Sequence, residues 1–248
     1  MASSKLDFIP PVIAHRGARN RAPENTMASF KAAYEDGAKW IETDVKLTSD
    51  GVPILMHDDT LNRTTNGQGC VADMDWDDMQ NLDAGGWYSP AFRGTRVPTL
   101  AELLSFAYDT GLRLNLELKP CPGRAQATAM VALIEAAKLW PDTAPDPLIS
   151  SFDVESLTIA AQLHPGWPRG LLLDEWRDDW REVVSLTQAT TVNMNAAIVT
   201  PERIALLREA QKPILVYTVN DATQAKTLLQ SGIQAVFSDN PGDIIKAL

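Results

Sequence analysis

Three acidic side chains lie on two segments that have the residue pattern of strands. Glu42 and Asp44 are two residues apart in an apolar run, so both side chains point to the same face of a strand. Glu117 lies on a later run in which leucines alternate with polar residues. In a barrel, the leucines contact the helices and the polar face points inward. Three carboxylates at the ends of neighbouring strands would then form an oxygen-rich site for a hard divalent cation.

The same pattern also fits a barrel interior without a metal. Carboxylates that are withdrawn from water need partners, and Arg16 or Lys119 would supply the counter-ion in a salt-bridged interior. Polar clusters at the carboxyl ends of barrel strands usually carry function, which favours the metal. The residues alone leave both interpretations open.

Two of the three histidines directly follow predicted strands. His15 comes after the first apolar run, and His57 ends the run from 52 to 56. Two histidines on either side of a metal-bound anion can serve as general base and general acid, because their ordinary pKa lies near neutral pH. His164 ends a predicted helix in a turn, and we expect it to be structural.

Other catalytic chemistries have weaker support. The sequence contains no G-x-S-x-G elbow, Walker loop or G-x-G-x-x-G fingerprint. Cys121 has no histidine near it in sequence, so a role as nucleophile is not expected. A glycosidase pair is disfavoured because Glu42 and Asp44 share one strand and would act on the same side of a sugar.

Strand-like and helix-like segments alternate along the chain, and eight such units in about 250 residues are typical of a (β/α)₈ TIM barrel in the α/β class. The strands are predicted to start at Val12, Lys39, Leu112, Leu148, Gly170, Thr191, Ile214 and Ala235. Helices are predicted over residues 24–36, 124–139, 154–163, 201–210 and 221–230.

Residues 58–98 interrupt this alternation. The segment is polar, rich in Asp and Gly, and too long for a simple loop between a strand and a helix. It is also too aromatic for a disordered linker, and we expect Trp76 and Trp87 to form its small core. We therefore predict one domain over residues 1–248, with a small insertion after the second strand that folds over one end of the barrel.

Composition narrows the class of partner. Hydrophobic residues make up 45 % of the chain, which excludes a disordered protein, and the formal net charge of −10 argues against nucleic acid as the main partner. No apolar stretch approaches the roughly 18 residues of a membrane helix, and no signal peptide is visible. We expect a cytoplasmic protein without membrane insertion, and a homodimer is left open.

Nine motifs together resemble the glycerophosphodiester phosphodiesterase family. They are AHRG at 14–17, PENT at 23–26, ETDV at 42–45, DGVP at 50–53, HDDTLNRTT at 57–65, LELK at 116–119, SFD at 151–153, TVN at 218–220 and SDNP at 238–241. The motifs follow the family order over nearly the whole chain, and those before residue 70 are highly specific. The resemblance implies a barrel with a small insertion and hydrolysis of a small-molecule glycerophosphodiester to sn-glycerol 3-phosphate and an alcohol.

The resemblance also implies roles for individual residues. A divalent metal, often Mg²⁺ or Ca²⁺, would be held by the three carboxylates Glu42, Asp44 and Glu117. His15 and His57 would be the acid/base pair, and the cations Arg16 and Lys119 would steady the phosphate. Tyr217 stands where family members commonly carry Trp, so we expect it to contact the substrate in the headgroup pocket.

Two alternatives to this hydrolase are kept. A phospholipase D-like lyase on the same barrel would stop at a cyclic phosphate, although such enzymes usually act on membranes and are secreted. A non-catalytic phosphate-binding barrel would keep the pocket without the chemistry, although both histidines and all three carboxylates are present. The nucleophile is either water or the glycerol 2-hydroxyl, and the residues do not assign the acid and the base.

Overall fold

The computed structural model describes residues 9–248, in which strands and helices alternate. The strands are β1 (Val12–His15), β2 (Trp40–Leu47), β3 (Pro53–Leu55), β4 (Arg113–Leu118), β5 (Leu148–Ser151), β6 (Arg169–Leu173), β7 (Thr191–Asn195), β8 (Ile214–Tyr217) and β9 (Ala235–Ser238). The helices are α1 (Met27–Glu35), α2 (Trp76–Met79), α3 (Leu100–Thr110), α4 (Ala125–Leu139), α5 (Val154–Leu163), α6 (Trp180–Thr187), α7 (Pro201–Glu209), α8 (Ala222–Gln230) and α9 (Pro241–Ala247). Within residues 9–248, every helix falls short of the length and apolar character that a membrane span requires.

Eight of these strands run parallel and close into a barrel. Their order around the ring is β1, β2, β4, β5, β6, β7, β8 and β9, and β9 pairs with β1 to complete it. The leucines of β4 belong to the same buried cluster as apolar residues of α3 and α4, as their alternation with polar residues predicts. The predicted (β/α)₈ TIM barrel is confirmed.

The pairing register brings polar residues of neighbouring strands level with one another. His15 of β1 lies opposite Glu42 of β2, and Asp44 of β2 lies opposite Glu117 of β4. Because these strands are parallel, their carboxyl ends meet at one rim of the barrel. The backbone therefore gathers residues that are distant in sequence at a single place.

The first helix begins later than predicted. Thr26 caps α1, since its side chain accepts from the Ser29 backbone N–H while the Ser29 hydroxyl accepts from the Thr26 backbone N–H. The expectation of a helix from residue 24 is therefore wrong. Glu24 and Asn25 remain in the preceding loop, and their side chains reach polar groups at the barrel rim.

The chain between β2 and α3 has a small core of its own. Strand β3 pairs antiparallel with β2, and the segment that follows buries apolar side chains against one another and against the loop after β4. The core residues are Ile54, Met56, Leu61, Val71, Met79, Ala84, Val97 and Cys121. Trp76 packs against this core, but Trp87 is 39 % exposed and contacts Tyr88 edge-on, so its predicted place in the core is wrong.

Candidate active site

A cavity of about 440 Å³ opens at the carboxyl ends of the barrel strands. Seven of the eight residues that the sequence singles out line this cavity: His15, Arg16, Glu42, His57, Glu117, Lys119 and Tyr217. The eighth, Asp44, is almost completely buried beside them, with 1 % of its surface exposed. All eight residues are thus brought together at one rim.

The three carboxylates form a compact group. Glu42, Asp44 and Glu117 each offer one oxygen within 4.8 Å of the others, and all three side chains are buried. Glu42 Oε1 and Asp44 Oδ1 accept no hydrogen bond from any residue between 9 and 248. Buried carboxylate oxygens without a donor, arranged as an all-oxygen set, suit a hard divalent cation such as Mg²⁺ or Ca²⁺.

Burial and neighbouring charges shift the pKa values of these three carboxylates. Burial raises the pKa of Glu42 well above its usual range, and the charges of Asp44 and Glu117 add to the effect. Burial and Asp44 likewise raise the pKa of Glu117 to about 7. Burial acts in the same direction on Asp44, but Arg16 and Lys119 outweigh it and hold its pKa well below the usual value. A divalent cation would relieve this repulsion.

Two basic side chains already contact the carboxylates. Arg16 Nε lies 3.3 Å from Asp44 Oδ2, and Lys119 Nζ lies 2.9 Å from Glu117 Oε1 and 3.5 Å from Asp44 Oδ1. The salt-bridged interior is therefore present in part. Two cations against three carboxylates nevertheless leave an excess of negative charge, so these contacts do not remove the place for a metal.

Asn25 positions the central carboxylate. Its Nδ2 donates to Asp44 Oδ2 at 2.8 Å, and its Oδ1 accepts from Thr43 Oγ1 at 2.7 Å. Its backbone has a φ of +53°, which Asn tolerates better than most residues. The adjacent turn depends on Gly17, at φ +84°, where a Cβ atom would lie 2.6 Å from the Ser29 backbone.

Each histidine binds a carboxylate through Nδ1. His15 Nδ1 lies 2.7 Å from Asp239 Oδ1, and His57 Nδ1 lies 2.7 Å from Asp58 Oδ1. A carboxylate at Nδ1 fixes the ring and selects the tautomer, which leaves Nε2 for proton transfer. His15 Nε2 is 4.0 Å from Glu42 Oε2, so the first histidine lies directly beside the acidic group.

Burial lowers the pKa of both histidines. For His15 the hydrogen bond with Asp239 opposes the desolvation, and for His57 the charge of Asp44 does so, yet burial outweighs both and each pKa stays lowered. The lowered pKa favours the neutral form of each imidazole. A neutral imidazole can accept a proton, and its partner can donate one after protonation.

The sequence interpretation missed both histidine partners. Asp58 and Asp239 lie within motifs that were recognised, HDDTLNRTT and SDNP, but neither was assigned a role. Asp239 is 224 residues from His15, and only the pairing of β1 with β9 brings them together. For Asp58, its place directly after His57 was the one available signal.

The opposite end of the cavity has a different character. It is lined at the carboxyl ends of strands β5 to β8 by Phe152, Asp174, Asn195 and Tyr217, and the Phe152 and Tyr217 rings meet edge-to-face at 5.9 Å. The Tyr217 hydroxyl is buried without a hydrogen-bond partner in the described chain. Burial raises the pKa of Tyr217 above its usual value, so the phenol stays neutral.

Two of the remaining candidates lie away from the chemistry. His164 stacks on Trp167 at 4.5 Å between ring centroids, and its carbonyl accepts from Arg169, which agrees with a structural role. Cys121 is buried in the small core, and burial raises the pKa of its thiol, which makes it a poorer nucleophile.

Comparison with known proteins agrees with this geometry. The model of the glycerophosphoryl diester phosphodiesterase family matches residues 15–243. A glycerophosphodiester phosphodiesterase of Caldanaerobacter subterraneus subsp. tengcongensis is 32 % identical over 239 residues, which cover 94 % of this chain and 96 % of that protein. One from Bacillus altitudinis is 31 % identical, with 95 % and 96 % of the two chains covered.

Solved structures show the same fold with related sequences. A phosphodiesterase from Oleispira antarctica, in complex with the product sn-glycerol-3-phosphate, superimposes with a TM-score of 0.95 at 35 % identity, covering 98 % of each chain. A glycerophosphodiester phosphodiesterase from Agrobacterium tumefaciens gives a TM-score of 0.77 at 30 % identity, covering 96 % of this chain and all of that one (100 %). This chain therefore belongs to the glycerophosphoryl diester phosphodiesterase family.

Proposed function

We propose that this protein hydrolyses glycerophosphodiesters to sn-glycerol 3-phosphate and an alcohol by metal-assisted, two-histidine catalysis. One observation carries the proposal: two histidines, each bound by a carboxylate at Nδ1, line the same cavity as Glu42 and Glu117, and Asp44 is buried directly beside these two carboxylates. The membership of the chain in the family and the product bound to the Oleispira antarctica relative support the same reaction.

Glu42, Asp44 and Glu117 would hold the divalent cation, Mg²⁺ or Ca²⁺. When bound, the cation would stabilise negative charge on the phosphoryl oxygens and lower the pKa of a nearby hydroxyl. Arg16 and Lys119 stand at the same carboxylates, and we assign them to the phosphate, where their positive charges oppose the charge that develops in the transition state. Tyr217 would contact the substrate from the other end of the cavity.

His15 and His57 divide the proton transfers. One imidazole accepts the proton of the nucleophile, either water or the glycerol 2-hydroxyl, and the other donates a proton to the leaving alkoxide. Each imidazole has a carboxylate at Nδ1 at the same distance, so either histidine has the geometry for either role. We therefore assign the acid and base roles to the two histidines as a pair. The proposal also keeps a cytoplasmic location and a small-molecule partner, and the net charge of −10 supports the latter over nucleic acid.

The first experiment measures release of sn-glycerol 3-phosphate from glycerophosphocholine and glycerophosphoethanolamine. The protein is assayed after treatment with EDTA and again after Mg²⁺ or Ca²⁺ is restored, and the products are followed by ³¹P NMR. Metal-dependent release of sn-glycerol 3-phosphate supports the proposal. Accumulation of a cyclic phosphate would favour the lyase, and binding without turnover under any metal would favour the non-catalytic barrel.

Variants test the histidines separately from the fold. We expect His15→Ala and His57→Ala each to lower kcat by about 10²-fold or more, because each removes one proton-transfer group. The His164→Ala variant is the matched control, since it removes a histidine that lies away from the cavity. Turnover near that of the unaltered protein in either cavity variant would contradict the assignment.

A further inference from the structure

The end of the cavity that takes no part in proton transfer has an arrangement suited to a cation. Resting on the proposed hydrolysis, we propose that Asp174, with the rings of Phe152 and Tyr217, binds the positively charged nitrogen of the leaving alcohol. The preferred substrates would then be glycerophosphodiesters of ammonium or quaternary ammonium alcohols. Asp174 would be the residue that determines this specificity.

The two aromatic rings present surfaces that attract cations. Phe152 lines the cavity and is 39 % exposed at the barrel rim, so its ring is accessible to a ligand. Lys119 Nζ already lies 5.2 Å from the centroid of the Phe152 ring, so this ring accepts a positive charge in the present structure. Its edge-to-face contact with Tyr217 holds both rings at the cavity wall.

Asp174 supplies the charge. It follows β6 directly and is exposed on the cavity wall, and its Oδ1 accepts from Asn195 Nδ2 at 2.7 Å. Asn195 is held in turn, because its Oδ1 accepts from the Ala197 backbone N–H at 2.9 Å. The carboxylate is thus oriented by an amide, while no basic side chain among residues 9–248 forms a salt bridge with it.

Neighbouring basic groups are occupied elsewhere. Arg177 forms two contacts with Asp179, at 2.6 and 2.8 Å. Arg203 lies 5.0 Å from the Trp176 ring centroid and donates to the Ile198 carbonyl. The charge of Asp174 is therefore available to a ligand, and its field already contributes to the raised pKa of Tyr217.

A second cavity beside the first is a poorer place for the same group. It has a volume of about 340 Å³ and shares Phe152 and Lys119 with the active-site cavity. Its two carboxylates are already engaged, because Asp59 Oδ1 lies 2.6 Å from Lys46 Nζ and Asp153 caps helix α5. The Asp174 end is thus the one with an unpaired carboxylate.

The exposure of Asp174 and Phe152 indicates that this end of the cavity binds the leaving alcohol of the substrate rather than its glycerol. The groups that handle the phosphate are mostly buried, as suits the part of the substrate that all glycerophosphodiesters share, whereas Asp174 and Phe152 are exposed. A polyol there would find the Tyr217 hydroxyl and the Asp174 carboxylate, since both amide atoms of Asn195 are already hydrogen-bonded. A cation would find the negative charge of Asp174 together with the electron-rich Phe152 and Tyr217 rings.

The test compares kcat/KM for glycerophosphocholine with kcat/KM for glycerophosphoglycerol, whose second alcohol is uncharged. We expect the cationic substrate to be favoured about fivefold, a factor typical of one exposed carboxylate and ring. The Asp174→Asn variant should abolish this preference by lowering kcat/KM for glycerophosphocholine about fivefold more than kcat/KM for glycerophosphoglycerol. Asp178→Asn is the matched control, because Asp178 is exposed on the same loop and does not line the cavity.

The proposal would be overturned if Asp174→Asn left the ratio of the two kcat/KM values unchanged. If both values also fell equally, the glycerol rather than the leaving alcohol would be placed at Asp174. Calorimetric binding of the same two compounds to the His57→Ala variant gives the comparison without turnover. If the unaltered protein hydrolyses neither compound, the proposed function fails, while the ratio of the two binding constants still decides the headgroup preference.

Discussion

Glu24 and Arg63 form a two-point ion pair, with Arg63 Nη1 2.9 Å from Glu24 Oε2 and Nη2 2.8 Å from Oε1. The Glu24 carboxylate is buried, and it also contacts Arg16 at 2.9 Å and Arg19 at 2.9 Å. Burial would raise the pKa of Glu24, but the three arginines lower it below its usual value, so the carboxylate stays ionised. One buried anion therefore holds three guanidinium groups together.

These contacts connect the two histidines. Arg63 Nε lies 2.6 Å from Asp58, the partner of His57. On the other side, Arg19 Nη1 lies 3.5 Å from Asp239, the partner of His15. Glu24 contacts neither histidine, so we expect it to position their carboxylate partners through the arginines.

We expect Glu24→Gln to lower kcat by about 10- to 100-fold, because small displacements of catalytic groups have effects of this size. The substitution keeps the shape of the side chain and removes the charge that holds the arginines. KM should change less than kcat if the loss is one of orientation. Steady-state kinetics with saturating metal measure both constants.

The matched control is Glu35→Gln, which makes the same change of charge at a side chain that is 65 % exposed and forms an ion pair with Arg21. It should leave kcat unaltered, because exposed ion pairs contribute little. Thermal unfolding of both variants checks that they fold. A kcat for Glu24→Gln within twofold of the unaltered protein would refute the positioning role.

The three clustered carboxylates predict that one substitution has opposite effects on thermal stability without metal and with metal. Burial raises the pKa of Glu42, and repulsion from Asp44 and Glu117 adds to the effect. Glu42→Gln should therefore raise the Tm of the metal-free protein. In the unaltered protein, Mg²⁺ or Ca²⁺ at 100 times its Kd should add about 2.7 kcal/mol of stability, which corresponds to a rise in Tm of about 5–10 °C.

Glu42→Gln should lose most of that rise, since it lacks one charged ligand. Differential scanning fluorimetry with EDTA and then with excess metal measures all four values. Glu35→Gln again serves as the control, and it should show the full rise with metal. A metal-dependent rise of equal size in Glu42→Gln would show that the cation binds elsewhere.

The His15–Asp239 pair predicts a specific acid sensitivity. Burial acts to raise the pKa of Asp239, but the hydrogen bond and charge of His15 lower it from 3.8 to about 2. A carboxyl group whose pKa is lower in the folded state stabilises the fold above its unfolded pKa, and this contribution is lost as the pH falls through the folded value. The loss should therefore occur between about pH 4 and pH 2.

We expect Asp239→Asn to reduce the free energy of unfolding by about 2 kcal/mol at pH 5. The difference from the unaltered protein should shrink steadily as the pH falls to 2.5. Urea unfolding at several pH values measures this difference, in which the other acidic groups cancel. A difference that stays constant with pH would mean that Asp239 does not titrate against His15.

The barrel was predictable because its signals are local. Alternating leucines mark β4, and apolar runs mark the other barrel strands to within one or two residues. The gathering of Glu42, Asp44 and Glu117 followed from those strands, since parallel strands end at the same rim. Helix α6 carries an equally local signal, because its buried residues Trp180, Val183, Val184 and Thr187 repeat at helical spacing.

The contacts that orient the site were not predictable from local patterns. Glu24 was assigned to a helix, and only the cap at Thr26 shows that it precedes one. Its partner Arg63 is 39 residues away, and Asp239 is 224 residues from His15. Contacts at such separations depend on how the loops pack at the rim, which the alternation of apolar and polar residues does not specify.

Arg169 gives a prediction about the fold alone. It begins β6, at the end of the strand opposite the cavity, and it is buried without a carboxylate partner among the described residues. Its guanidinium donates to four backbone carbonyls that follow or end helices α5 and α6, those of His164, Trp167, Thr187 and Gln188. Burial lowers the pKa of Arg169, yet the group remains charged at neutral pH.

Arg169→Met should reduce the free energy of unfolding by about 3 kcal/mol, because it leaves these carbonyls without a donor. kcat at 25 °C should stay within twofold, since the residue is remote from the cavity. Arg96→Met is the control, because Arg96 is exposed in a loop, and its effect on stability should be small. Urea unfolding and steady-state kinetics measure the two properties. A loss below about 1 kcal/mol, which is the net contribution of a single hydrogen bond, would contradict this prediction. It would show that water donates to the four carbonyls in place of the guanidinium.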